Sequence, residues 1–136
     1  MRRRRRKVVC KKIMMNKKTV IVGASENQSR YAYKAAVMLD EYGVDFVPVG
    51  IRPGAVLGRP ICALADRPTI EHVHTITLYI NPKNQREWYD YFFQLHPKRV
   101  IFNPGTENAE LEEALEEQGI DVVQGCTLVM LRSHQF

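Results

Sequence analysis

The chain has 136 residues, 45% of them hydrophobic and 26% charged, which is the balance of an ordinary globular protein long enough to bury one core. No apolar run approaches the roughly 20 residues of a membrane-crossing helix; Cys10, Cys62 and Cys126, odd in number and without C-x-x-C spacing, argue against a disulfide framework or zinc site and for a cytoplasmic protein with reduced thiols. The net charge of +5 is unevenly divided: residues 1–18 hold ten of the twenty Lys and Arg and no acid, leaving ten bases against fifteen acids in the rest.

Residues 1–16 therefore read as a basic extension, expected to be disordered, ahead of a single domain over residues 17–136. Met15, just before the first strand, fits an internal start equally well. The lysines that interrupt KVVCKKIMM rule out the apolar stretch of a secretory signal. A polybasic arm on nucleic acid or an anionic surface is the functional alternative.

Thr19–Val22 is a short apolar strand, stopped by Gly23-Ala24-Ser25, and a helical pattern follows over Arg30–Tyr42. Ser29 suits its N-cap and Gly43 its end. Strand, tight turn and helix start form the opening of a nucleotide-binding α/β unit, where small residues and free helix amides accept a phosphate. Only Gly23 of the G-x-G-x-x-G pattern is present, with Ser25 in place of the second glycine, so a plain structural turn fits as well. A second strand is expected over Asp45–Val49, with pairing stopping near Pro48. The stretch from Gly50 to Pro68 reads as loop, with a short strand around Pro60–Cys62. Strands then follow at His72–Ile80, Arg99–Phe102 and Asp121–Gln124. Between them lie an aromatic-rich helix from Asn81-Pro82 through Gln94, and a helix from Thr106 or Glu107 to Gly119.

The alternation predicts an α/β fold: a three-layer, doubly wound, Rossmann-like parallel sheet of about five strands in order 3-2-1-4-5. That order makes the first and fourth strands neighbours, so Gly23-Ala24-Ser25 and Asn103-Pro104-Gly105 flank one crevice at the switch point. Where an NAD enzyme carries an acid after the second strand, this chain has Pro48-Val49-Gly50-Ile51-Arg52. An arginine there suits a ligand with an extra ribose phosphate, such as NADP or coenzyme A. Arg30 at the first helix start can assist. His72 and His74 share a strand face without a third metal ligand, and Cys126 has no base to activate it, so no catalytic or metal site is assigned. The aromatic helix (Trp88, Tyr89, Tyr91, Phe92, Phe93) has apolar residues on two sides and suggests a homodimer contact.

In order and spacing, TVIVGAS, RYAYKAA, VPVG, VIFNPGTEN and GIDVV-x-GCTLVML resemble the small single-domain CoA-binding proteins. These are similar in turn to the CoA-binding Rossmann domain of succinyl-CoA synthetase and the ADP-forming acyl-CoA synthetases. The resemblance covers residues 17–131. It implies coenzyme A or an acyl-CoA as ligand, with Gly23, Ala24 and Ser25 at the diphosphate, helped by Arg30 and Tyr31. It further implies Pro48, Val49 and Arg52 at the adenosine end, and Asn103, Pro104 and Gly105 on the other wall. The chain departs from the family at Gly50-Ile51, where many members have Asn-Pro, and at Phe102-Asn103-Pro104-Gly105, where many have a Trp-x-Gln-x-Gly loop. The synthetases' phosphohistidine lies in a region without counterpart here, so binding without catalysis is the implied role, and an NADP-linked oxidoreductase is the alternative. Gly23→Val is expected to fold and lose binding.

Overall fold

The computed structural model describes residues 16–136; residues 1–15, which hold most of the basic extension, lie outside the described part. The main sheet contains β1 (Thr19–Val22), β2 (Phe46–Gly50), β5 (Cys62–Ala63), β6 (Thr75–Leu78), β7 (Arg99–Phe102) and β8 (Asp121–Gln124). All are parallel, in spatial order β5-β2-β1-β6-β7-β8. A two-residue hairpin, β3 (Ala55–Val56) with β4 (Arg59–Pro60), precedes β5. The helices are α1 (Tyr31–Glu41), α2 (Pro82–Gln85), α3 (Tyr89–Gln94), α4 (Ala109–Glu117) and α5 (Thr127–Arg132), with 3-10 turns at Leu64–Asp66 and Arg86–Trp88.

The sheet thus has six strands, and numbered along the chain their order is 3-2-1-4-5-6. This corrects the five-strand expectation in one consequential place. The neighbour of β1 is β6, which sequence reading put on the far side of β2, while the edge position belongs to the two-residue β5. The physical reason lies in burial. All four residues of β6 are buried, its threonines included, as an interior strand requires. Arg99–Phe102 stands one strand further from β1 than expected.

Alternation along the strands feeds two cores on opposite faces. Val20, Val22, Ile76, Leu78, Val100 and Phe102 pack with Tyr91, Phe92, Leu111 and Leu115. Ile21 and Ile101 pack with Ala32, Ala36, Leu39 and Leu131 on the other face. Two helix ends follow their sequence signals closely. Gly43 (φ +75°) and Gly119 (φ +79°) each follow a C-cap, and the amides of Val44 and Ile120 reach back to Leu39 and Leu115.

Other elements differ from expectation for local reasons. β2 continues past Pro48 to Gly50. Val49's carbonyl faces β1, so Pro48 faces the other side, where pairing with β5 begins only at Val49, and its missing N–H leaves no gap in the ladder. The helix expected from Asn81-Pro82 to Gln94 is broken by the 3-10 turn. Tyr91 and Phe92 are fully buried, and Trp88, Tyr89 and Phe93 pack against the same core. Intramolecular packing therefore accounts for the aromatic surplus. Among the described residues, no helix is long and apolar enough to cross a membrane.

Candidate functional site

At the carboxyl edge of β1 the chain bends through Gly23-Ala24-Ser25. Gly23 has φ +97°, and a Cβ there would stand 3.0 Å from Ile80 Cγ2 and 3.1 Å from the Tyr79 carbonyl carbon. The bend therefore lies directly against the end of β6. Gly50 is the second close approach, because a Cβ there would come 2.5 Å from the Ala24 carbonyl oxygen. That contact leaves no room for a side chain at position 50.

Between the bend and α1 the polar side chains bond one another. The Asn27 amide donates to Ser25 Oγ (3.0 Å), and Ser29 donates to Asn27 Oδ1 from its amide (3.0 Å) and hydroxyl (2.8 Å). Ser29, the expected cap, is thereby engaged elsewhere. The N-cap position is Arg30, which makes no side-chain cap, and the first turn of α1 holds no acid. Among the described residues, the amides of Ser25, Tyr31 and Ala32 find no protein acceptor. The helix presents its partial positive charge uncompensated.

A cleft of about 960 Å³ opens at this edge. Its walls are the Gly23 bend, the start of α1, Ile51-Arg52-Pro53, Tyr79-Ile80-Asn81 and Pro104-Gly105-Thr106. Gly23, Ala24, Ser25, Arg30, Tyr31, Arg52, Pro104 and Gly105 are thus brought together, whereas Pro48, Val49 and Asn103 do not line the cleft. Pro48 and Val49 are buried in β2. Val49's carbonyl accepts the amides of Gly23 (2.9 Å) and Ala24 (3.0 Å), so neither is open to a ligand. The Gly105 amide is also engaged, donating to Glu107 Oε1 at 2.9 Å. Asn103 is 2% exposed. Its Nδ2 donates to Thr77 Oγ1 (2.6 Å) and the Leu78 carbonyl (2.8 Å), and its Oδ1 accepts the Thr127 amide (2.9 Å). It holds β7 to β6 and to the start of α5 instead of facing a ligand.

Arg30 and Arg52 are exposed on the cleft wall and pair with no carboxylate among the described residues, whose ion pairs are Arg59–Asp45 and Arg86–Glu110. Tyr31 and Ile51 project apolar surface from the two lips, at 66% and 68% exposure. Glu26 shares the wall, its carboxylate lying against Gly54. Burial pushes the Tyr79 phenol up to about 12, so it is a neutral hydroxyl at physiological pH. The arrangement is a cleft with two exposed guanidiniums and the uncapped start of α1 along its lining, and apolar lips at Tyr31 and Ile51. Sequence reading missed Tyr79-Ile80-Asn81, since only the position of β6 beside β1 brings that loop in. His72 and His74 lie before β6, at the opposite edge of the sheet. Cys126 precedes α5 and does not line the cleft.

Residues 17–132 match the family model described as CoA binding domain. A solved structure of an uncharacterized protein is 57% identical, with a TM-score of 0.86 over 89% of this chain and 98% of that one. A Thermus thermophilus protein is 25% identical with a TM-score of 0.78, covering 98% of this chain and 100% of its own. A hypothetical protein from Pyrococcus horikoshii OT3 is 27% identical, with a TM-score of 0.74 over 95% and 89%. No curated protein matches. With its motifs in order along nearly the whole described fold, the chain belongs to the CoA binding domain family.

Proposed function

We propose that the chain binds coenzyme A or an acyl-CoA in the cleft at the carboxyl edge of β1 and β6, as a binding module without chemistry of its own. The observation that carries this reading is the convergence, on one cleft, of two guanidiniums without a carboxylate partner among the described residues and of uncapped helix amides. CoA offers a diphosphate and a ribose phosphate, two anions that such a cleft can hold separately. Ser25 and the first turn of α1 take the diphosphate, with Arg30 or Arg52 at the ribose phosphate. Tyr31 and Ile51 offer the flat apolar contact that an adenine takes. Pro104 and Gly105 form the far wall, while Val49 and Asn103 act from beneath by holding the two bends. The strand order 3-2-1-4-5-6 supports a doubly wound, Rossmann-like reading, with the ligand at the switch point between β1 and β6.

Calorimetric titration of CoA into the purified chain tests this. Saturable binding that weakens in Arg30→Ala and Arg52→Ala is expected. Absence of heat with folded protein at millimolar CoA refutes it, and a larger thermal shift with NADP than with CoA favours the oxidoreductase reading instead.

A further inference from the structure

Beneath the far wall of the cleft lies one fully buried amide side chain, Gln85, the last residue of α2. Its Nε2 donates to the Ile80 carbonyl (2.9 Å) and to the Thr106 carbonyl (2.8 Å). Its Oε1 accepts from Asn108 Nδ2 at 2.8 Å. Ile80 and Thr106 belong to the two loops that form this wall, one after β6 and one after β7. Asn108 in turn caps α4 through Oδ1 and donates its other amide hydrogen to the Tyr89 hydroxyl (2.8 Å). Both Nε2 hydrogens are therefore committed, and the orientation of the amide is set by its neighbours.

We infer that Gln85 is a positioning residue, a strut that sets the spacing of the 79–81 and 104–106 loops and hence the shape of the far wall. The inference rests on the CoA reading for its functional consequence. None of the hydrogen bonds of Gln85 goes to the wall formed by Gly23–Ala32 and Arg52, and the Gly23 and Ala24 amides are held separately, by the Val49 carbonyl. Loosening the strut separates the two walls: the nucleotide half of the ligand, held at Arg30, Arg52 and α1, keeps its partners, whereas the arm crossing to Pro104–Thr106 loses its surface.

Gln85→Met keeps the side-chain volume and removes all three hydrogen bonds. Asn108→Asp is milder. It keeps an oxygen for the α4 cap but turns the donor facing Gln85 Oε1 into an acceptor, so the Gln85 amide must flip or lose a partner. In either variant the Tyr79 and Thr106 amides, which donate to Val22 and Asn103 in the wild type, exchange with solvent faster together, by about tenfold. The Gly23 and Ala24 amides keep their wild-type rates. CoA affinity falls by about tenfold while affinity for adenosine 3′-phosphate 5′-diphosphate, the nucleotide half alone, changes less than about twofold. Equal losses for both ligands, or faster exchange at Gly23 and Ala24 as well, would mean general destabilisation and overturn the inference, as would unchanged exchange at Tyr79 and Thr106. If the wild type binds neither nucleotide, the CoA reading fails, and the exchange rates by themselves decide the strut.

Discussion

The bend at Gly23 and the bend at Gly105 stand on the same cleft, each following a strand and each with glycine at positive φ, +97° and +94°. Their surroundings differ. A Cβ on Gly23 would meet Tyr79 and Ile80 at 3.0–3.2 Å, while one on Gly105 would meet nothing within 4 Å. The first bend is held by the strand beside it, with two amides on one Val49 carbonyl. The second faces open space and is held from below, by Asn103 and Gln85 acting on the adjoining Thr106. One sequence cue thus covers two physical situations: a glycine that the packing requires and a glycine that only its own backbone angle requires.

The largest effect is expected at the packed bend. Gly23→Val adds backbone strain and overpacking against β6, together roughly 2–5 kcal/mol of stability. This revises the expectation of a folded chain that merely fails to bind. A chemical-denaturation midpoint within error of the wild type would break the comparison. Next come the charges between the bends. Arg30→Ala and Arg52→Ala are each expected to weaken CoA binding about tenfold, or about 1.4 kcal/mol, with the melting temperature unchanged because both side chains are exposed. Affinity that is insensitive to both would remove the anion wall from the account.

A smaller loss, about 1 kcal/mol, is expected for Gly105→Ala, where only the backbone angle is penalised. Measured beside Gly23→Ala, it should give the lesser destabilisation, and the reverse order would contradict the distinction between the bends. The smallest effect lies at the opposite edge of the sheet, which serves as a control. There burial, then the charges of Arg99, Lys17 and Lys98, hold the His74 imidazole below its ordinary value of 6.5. The folded state disfavours the proton that the unfolded chain accepts. Its contribution is complete above pH 6.5 and is lost as pH falls through that value toward the lower folded one. Denaturation midpoints at pH 7.5 and 5.5 should therefore converge in His74→Gln relative to wild type; a wild-type midpoint that rises on acidification would contradict the sign.

Much of this molecule was legible from neighbours along the chain. The strand Thr19–Val22, the helix ended by Gly43 and the one ended by Gly119 rest on apolar spacing and on backbone angles that glycine alone adopts readily. So did the meeting of Gly23 with Gly105 at one cleft, although the route differed, because β6 stands between β1 and β7. The roles of Val49, Asn103 and Ser29 were not legible. Each carries polar groups that suit a ligand equally well as a protein partner, and the choice depends on which distant atoms arrive at hydrogen-bonding distance.

Sequence alone determined the alternation of strands and helices, the glycine bends and the basic residues between them, since these follow from periodicity, backbone freedom and charge. Tertiary structure decided which strand lies beside β1, which amides remain without acceptors and that a buried glutamine joins two loops of the wall. Those outcomes depend on contacts between residues far apart in the chain, where a hydrogen bond made inside the protein withdraws a group from any ligand.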